Sequence, residues 1–125
     1  NAIDSGAKII MVGHLAVPSI TNGNTPASLS KELITNFLKN ELGYKNIVTT
    51  DALDMKAITN NYTDKQVYEL AINAGVDILL MPNNPVMAIS LIKESINEGT
   101  ISEEQINNSV RKILTLKYES NCIDD

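Results

Sequence analysis

Three short apolar runs recur along the chain, Lys8 to His14, Asn46 to Thr50 and Asp77 to Met81, and each is continuous rather than alternating in polarity. Continuous runs of this length predict parallel strands covered on both faces. Between and after them the apolar period changes to that of a helix. Leu33, Ile34, Phe37, Leu38 and Leu42 make one stripe over 31–42, with Ser30 as the N-cap and Gly43 as a left-handed stop. Thr63 and Gln66 have the spacing of a capping box and open a second helix, through Val67, Leu70, Ala71 and Ala74 to Gly75. Asn84 caps a third, with Pro85 at its first position and Ile89, Ile92 and Ile96 leading to Gly99. A fourth starts at Ser102, with Gln105 as its box partner and an apolar series of Ile106, Val110, Ile113 and Leu114.

Strand starts fall roughly 30 to 40 residues apart, the length of one strand, its loops and a crossover helix. The predicted fold class is therefore α/β, with about three βα units on a parallel sheet and a C-terminal helix. The two longest loops, Leu15 to Leu29 and Asp51 to Tyr62, each follow the carboxyl end of a strand. Open sheets and barrels alike bind their ligands at that end.

Composition narrows the class of function. In 125 residues, 43% hydrophobic and 20% charged with 6 Gly and 4 Pro, a single folded domain is expected. The net charge of −5 comes without a cluster of Lys or Arg, which argues against a nucleic-acid partner or an anionic membrane surface. No run nears the roughly 18 apolar residues of a membrane span. The lone Cys122 permits neither an internal disulfide nor a cysteine zinc site. The opening Asn-Ala-Ile-Asp, with no Met and no basic-then-apolar leader, reads as a processed or excised piece.

Asp51 carries the strongest chemical signal, a carboxylate at the carboxyl end of a buried parallel strand. Removing such a charge from water costs several kcal/mol unless it is hydrogen-bonded or faces a cleft, so Asp51 is either a functional group or a cap for the following helix or turn. Asp54, three residues on, fits the capping role. His14 ends the first strand and is the one histidine of the chain. It could serve a backbone carbonyl or a ligand, and its strand-end position makes it a candidate substrate contact. Met11, on the same strand, suits the sheet core and is a second, weaker substrate candidate. Asp77 precedes its strand, on the face that bears stability rather than catalysis. No nucleophile elbow, phosphate loop or dinucleotide fingerprint is present.

Taken together, several segments resemble the family 3 glycoside hydrolases, in their β-N-acetylhexosaminidase branch. They are Met11-Val12-Gly13-His14-Leu15-Ala16-Val17-Pro18, Thr25-Pro26-Ala27-Ser28-Leu29-Ser30, Leu42-Gly43-Tyr44, Val48-Thr49-Thr50-Asp51-Ala52-Leu53-Asp54-Met55, Ala74-Gly75-Val76-Asp77-Ile78-Leu79-Leu80-Met81-Pro82 and Gly99-Thr100-Ile101-Ser102, in the family's order. The resemblance implies a partial (β/α)8 TIM-type barrel, with 1–120 as the C-terminal half of the family's N-terminal barrel domain and 121–125 as a polar tail. It further implies that Asp51 is the nucleophile of a retaining glycosidase acting on terminal β-N-acetylglucosaminides, without metal or organic cofactor. In that branch a histidine partnered by an aspartate, on an earlier loop, donates the proton. His14 does not match that donor, so the 125 residues alone are expected to be inactive. A half-barrel would also leave apolar strand faces open to its missing half or to a second copy. Two alternatives stand: a β-glucosidase-type member, against which speaks the lack of a Trp after the nucleophile, and a non-catalytic carbohydrate-binding or structural α/β domain in which Asp51 is only a cap.

Overall fold

The computed structural model describes residues 1–21 and 23–123. Strand β1 (Ile9–Val12) is followed by a 3-10 turn at Ala27–Leu29, helix α1 (Glu32–Glu41), strand β2 (Ile47–Thr50), a short helix α2 (Lys56–Thr59), and helices α3 (Asp64–Ala74), α4 (Pro85–Glu98) and α5 (Glu103–Glu119). The class is α/β: β1 and β2 pair in parallel, Ile9 opposite Ile47 and Val12 opposite Thr50.

The third apolar run lies parallel beside β2 but forms only one bridge, Thr49 to Ile78. Side chains take two of the places a backbone ladder would use. The Val48 amide donates to Asp77 Oδ2 at 3.0 Å, and the Leu80 amide donates to Thr50 Oγ1 at 3.0 Å. The expectation of three regular strands is corrected to two strands and a laterally pinned segment. The expectation of two covered faces holds for β2, which is buried throughout, and fails for β1, where Ile9 and Met11 are exposed. Met11 is therefore not core: 55% of it meets solvent.

Helix boundaries follow their local chemistry. Both bonds of the Thr63–Gln66 box are present, and Asn84 Oδ1 accepts the Met87 amide behind Pro85. Ser30 accepts the Leu33 amide, as a cap should. The helix it opens is nevertheless wound in the wider π form, closing with the Leu42 amide on the Phe37 carbonyl at 2.9 Å. Its Thr35 hydroxyl and Lys39 ammonium donate to the carbonyls of Ala74 (2.8 Å) and Gly75 (2.6 Å) at the end of α3. Burial, and then the nearby Lys112, lower the Lys39 pKa, while Asp77 opposes the shift. Gly75 must be glycine here: its φ is +110°, and a Cβ would sit 2.9 Å from Thr35 Oγ1.

Two capping expectations fail. Gln105 does not return the bond of Ser102; its side-chain amide instead donates to the Ile72 carbonyl at the end of α3, a tertiary partner that competes successfully for the same group. Asp54 caps nothing, because α2 begins after Met55 and Asp54 points to solvent. The core gathers Val12, Leu29, Ile34, Val48, Leu53, Ile58, Val67 and Ala71 between the sheet and α1 to α3. Helix α5 contributes no buried residue, so its predicted apolar stripe is only partly covered. Asp124 and Asp125 of the polar tail lie outside the described residues.

Candidate active site

The carboxyl ends of β1, β2 and the Ile78 segment meet at Asp51. The Asp51 amide donates to the Val12 carbonyl at 3.0 Å, extending the parallel ladder one residue beyond β2. By strand alternation Asp51 shares the sheet face of Thr49 and Met11, the face on which β1 is open to solvent. Its side chain is half-buried. Oδ1 accepts the amide of the next residue, Ala52, at 2.8 Å, while Oδ2 makes no hydrogen bond among the described residues. Asp51 thus caps no helix, and it holds the amide that leads into the following turn. A charge-assisted bond of this kind contributes about 1.5–3 kcal/mol and fixes one oxygen, leaving the other available.

His14 stands across the same turn. Its Nδ1 is 2.7 Å from Ser28 Oγ and its Nε2 is 2.8 Å from the Ala52 carbonyl oxygen. Ser28 is wholly buried and its amide donates to the Gly13 carbonyl at 3.2 Å, so the 15–29 loop folds back onto the end of β1. The Leu53 amide donates to the Leu80 carbonyl at 2.9 Å. The short stretch after Asp51 is therefore tied to the residue that ends the first apolar run and to the Ile78 segment.

Beside this turn opens a hollow of about 590 Å3 lined by His14, Asn24, Thr25, Pro26, Ala57, Asn61 and Tyr62. Residues of both long loops line its walls. Asp51 and Met11 do not line it; of the three candidate residues, only His14 does. Among the described residues no three His, Cys, Asp or Glu side chains gather in a way that could hold a metal ion. Asp77, at the other end of its segment, has a side chain that is 2% exposed and accepts from Ser109 Oγ (2.6 Å), Lys112 Nζ (2.8 Å) and the Val48 amide. That is a structural clasp. The sequence does not mark Ser28 and Ala52 as site residues: a buried serine and a backbone carbonyl carry no periodic signal.

Residues 1–116 match the model of the glycosyl hydrolase family 3 N-terminal domain. The chain belongs to that family. Among its curated relatives, beta-hexosaminidase A of Pseudoalteromonas piscicida is 28% identical, covering 87% of this chain and 21% of that protein. The beta-N-acetylglucosaminidase/beta-glucosidase of Cellulomonas fimi is 27% identical over 93% of this chain and 22% of its own length. In structure, the family 3 beta-N-acetylglucosaminidase of Paenibacillus sp. str. FPU-7 superposes with a TM-score of 0.88 at 34% identity, covering 94% of this chain and 23% of that one. The family 3 chain described here thus spans less than a quarter of the length of each of these relatives.

Proposed function

We propose that this chain carries the nucleophile half of a retaining β-N-acetylglucosaminidase site. Asp51 is the nucleophile, and Oδ2 is the attacking oxygen. Oδ2 forms a bond to the anomeric carbon of a terminal β-linked N-acetylglucosamine as the glycosidic C–O bond breaks, and a proton donor about 5–5.5 Å away protonates the departing oxygen. Water then cleaves the glycosyl ester, the donor acting as base, and Asp51 leaves as a carboxylate. As the resemblance implies, the donor is a histidine paired with an aspartate outside these 125 residues. Met11, on the sheet face that Asp51 shares, is an apolar contact for the sugar ring.

A single observation carries this reading: in a family 3 domain, a half-buried carboxylate at a strand's carboxyl end has one oxygen held by the Ala52 amide and the other unbonded among the described residues. In the full-length protein, Asp51→Asn, whose Oδ1 can still accept the Ala52 amide, should lower kcat by about a thousandfold or more while costing no more than about 1 kcal/mol of stability. Retained activity together with a lowered melting temperature would mean that Asp51 serves the fold alone.

A β-glucosidase-type activity is the second reading, favoured by the double name of the Cellulomonas relative. Comparing nitrophenyl N-acetylglucosaminide with nitrophenyl glucoside as substrates of the full-length protein separates the two. We further propose that the open face of β1 and the exposed stripe of α5 are covered by the remainder of a (β/α)8 barrel, or by a second copy when that remainder is absent.

A further inference from the structure

We propose that His14 is a positioning residue, which sets the direction of the nucleophile through the Ala52 peptide rather than by touching sugar. The inference rests on the assignment of Asp51 above and departs from a role for His14 as a substrate contact.

The tautomer follows from the partners. A carbonyl oxygen has no proton to give, so the 2.8 Å contact with Ala52 requires the hydrogen on Nε2. In the tautomer with one ring hydrogen, Nδ1 then presents a lone pair that accepts the Ser28 hydroxyl proton at 2.7 Å. Ser28 is held in turn, since it is fully buried and its amide is bound to Gly13. Both ring nitrogens are committed, and neither is left for a hydroxyl of a bound sugar. The ring's exposed edge can still line the neighbouring hollow, as it does, without being what recognises the ligand.

What His14 holds is one end of a rigid unit. The peptide joining Ala52 to Leu53 is pinned at its oxygen by His14 and at its nitrogen by the Leu80 carbonyl, 2.9 Å away. Only the φ and ψ torsions of Ala52 separate this plane from the amide that grips Asp51 Oδ1 at 2.8 Å, so holding the plane narrows the directions that amide can take. Ser28, His14, the Ala52 carbonyl, the Ala52 amide and the Asp51 carboxylate therefore form one chain of support, running from the buried 3-10 turn to the attacking group. Nucleophile geometry is steeply tied to rate, since a displacement of about 1 Å can cost about 10²-fold.

Amide side chains of two lengths test the strut in the full-length protein. His14→Ala should lower kcat on the order of 10²-fold with KM within about twofold of wild type. The amide nitrogen of Gln reaches the place of Nε2 and can still donate to Ala52, so His14→Gln should recover kcat to within about tenfold of wild type. The shorter Asn ends near the place of Nδ1 and should stay as slow as Ala. A merely structural role would order the three variants by melting temperature and not by kcat. A rise in KM with kcat unchanged in His14→Ala, or Gln as slow as Ala at equal melting temperature, would overturn the proposal. Nitrogen NMR of the full-length protein, with the His14 ring signal identified by its loss in His14→Gln, supplies a readout without substrate. Protonated Nε2 and bare Nδ1 are expected, and the opposite tautomer would also overturn it. That measurement stands whatever Asp51→Asn does, so failure of the strut and failure of the glycosidase assignment produce different results.

Discussion

Carboxylates in this chain do three different jobs, set by what surrounds each. Asp51 is half-buried with one oxygen occupied, Asp77 is enclosed by three donors, and Glu69 sits on the outer surface between α3 and α4. The hydroxyls of Ser95 (2.7 Å) and Thr100 (2.8 Å) both donate to Glu69 Oε1, and together hold its pKa below the ordinary value of 4.5. A folded pKa lower than the unfolded one means a stabilising contribution that is complete above the ordinary range and is lost as pH falls through the folded value. Glu69→Gln should therefore lower the melting temperature at neutral pH, and the gap to wild type should narrow progressively in thermal scans taken at pH values falling below 4.5. A gap independent of pH would place the effect in packing instead. The sequence marks Asp51 clearly, because a charge ending an apolar run stands out. It does not mark Ser28 or Ala52, whose parts are played by a buried hydroxyl and a main-chain carbonyl.

Elements here are started by local chemistry and finished by tertiary contacts. Thr63 with Gln66, and Asn84 with Pro85, place the starts of α3 and α4 where their patterns predict. Gln105 shows the limit of that logic: its spacing from Ser102 is right for a box, yet its amide serves the end of α3. Likewise Ser30 opens α1 as expected, but the π winding of that helix goes with Thr35 and Lys39 reaching the end of α3. Helix α5 depends most on distant groups, since it buries no residue of its own and meets the sheet through Ser109 and Lys112 on Asp77. Asp77→Ala strands the Val48 amide as well, and should destabilise the chain by about 2–3 kcal/mol in urea denaturation. Ser109→Ala should cost about 1 kcal/mol. Equal losses would show that Lys112 and Val48 gain nothing from the carboxylate.

At the scale of the whole molecule, the exposed apolar side chains are the chief feature left over. They include Ile9 and Met11 on β1, Val86 and Ile89 on α4, and Val110, Leu114 and Tyr118 on α5. Surfaces of this kind seek cover. The isolated 125 residues are expected to self-associate, with an apparent mass that rises with concentration in sedimentation equilibrium, and Leu114→Lys should shift them toward monomer. A concentration-independent monomer mass would refute this. No described helix is long and apolar enough to cross a membrane. The sequence by itself determined the α/β class, the positions of most helices and the place of Asp51 at a strand end, because apolar period, caps and a charge beside an apolar run are local signals. Only the tertiary structure decided that the third run is pinned by Asp77 and Thr50, that β1 has an open face, and that His14 is committed to Ser28 and Ala52. Those outcomes depend on which donors and acceptors meet across 14 to 38 residues of chain, where competition among partners in space, and not spacing along the sequence, selects the bond that forms.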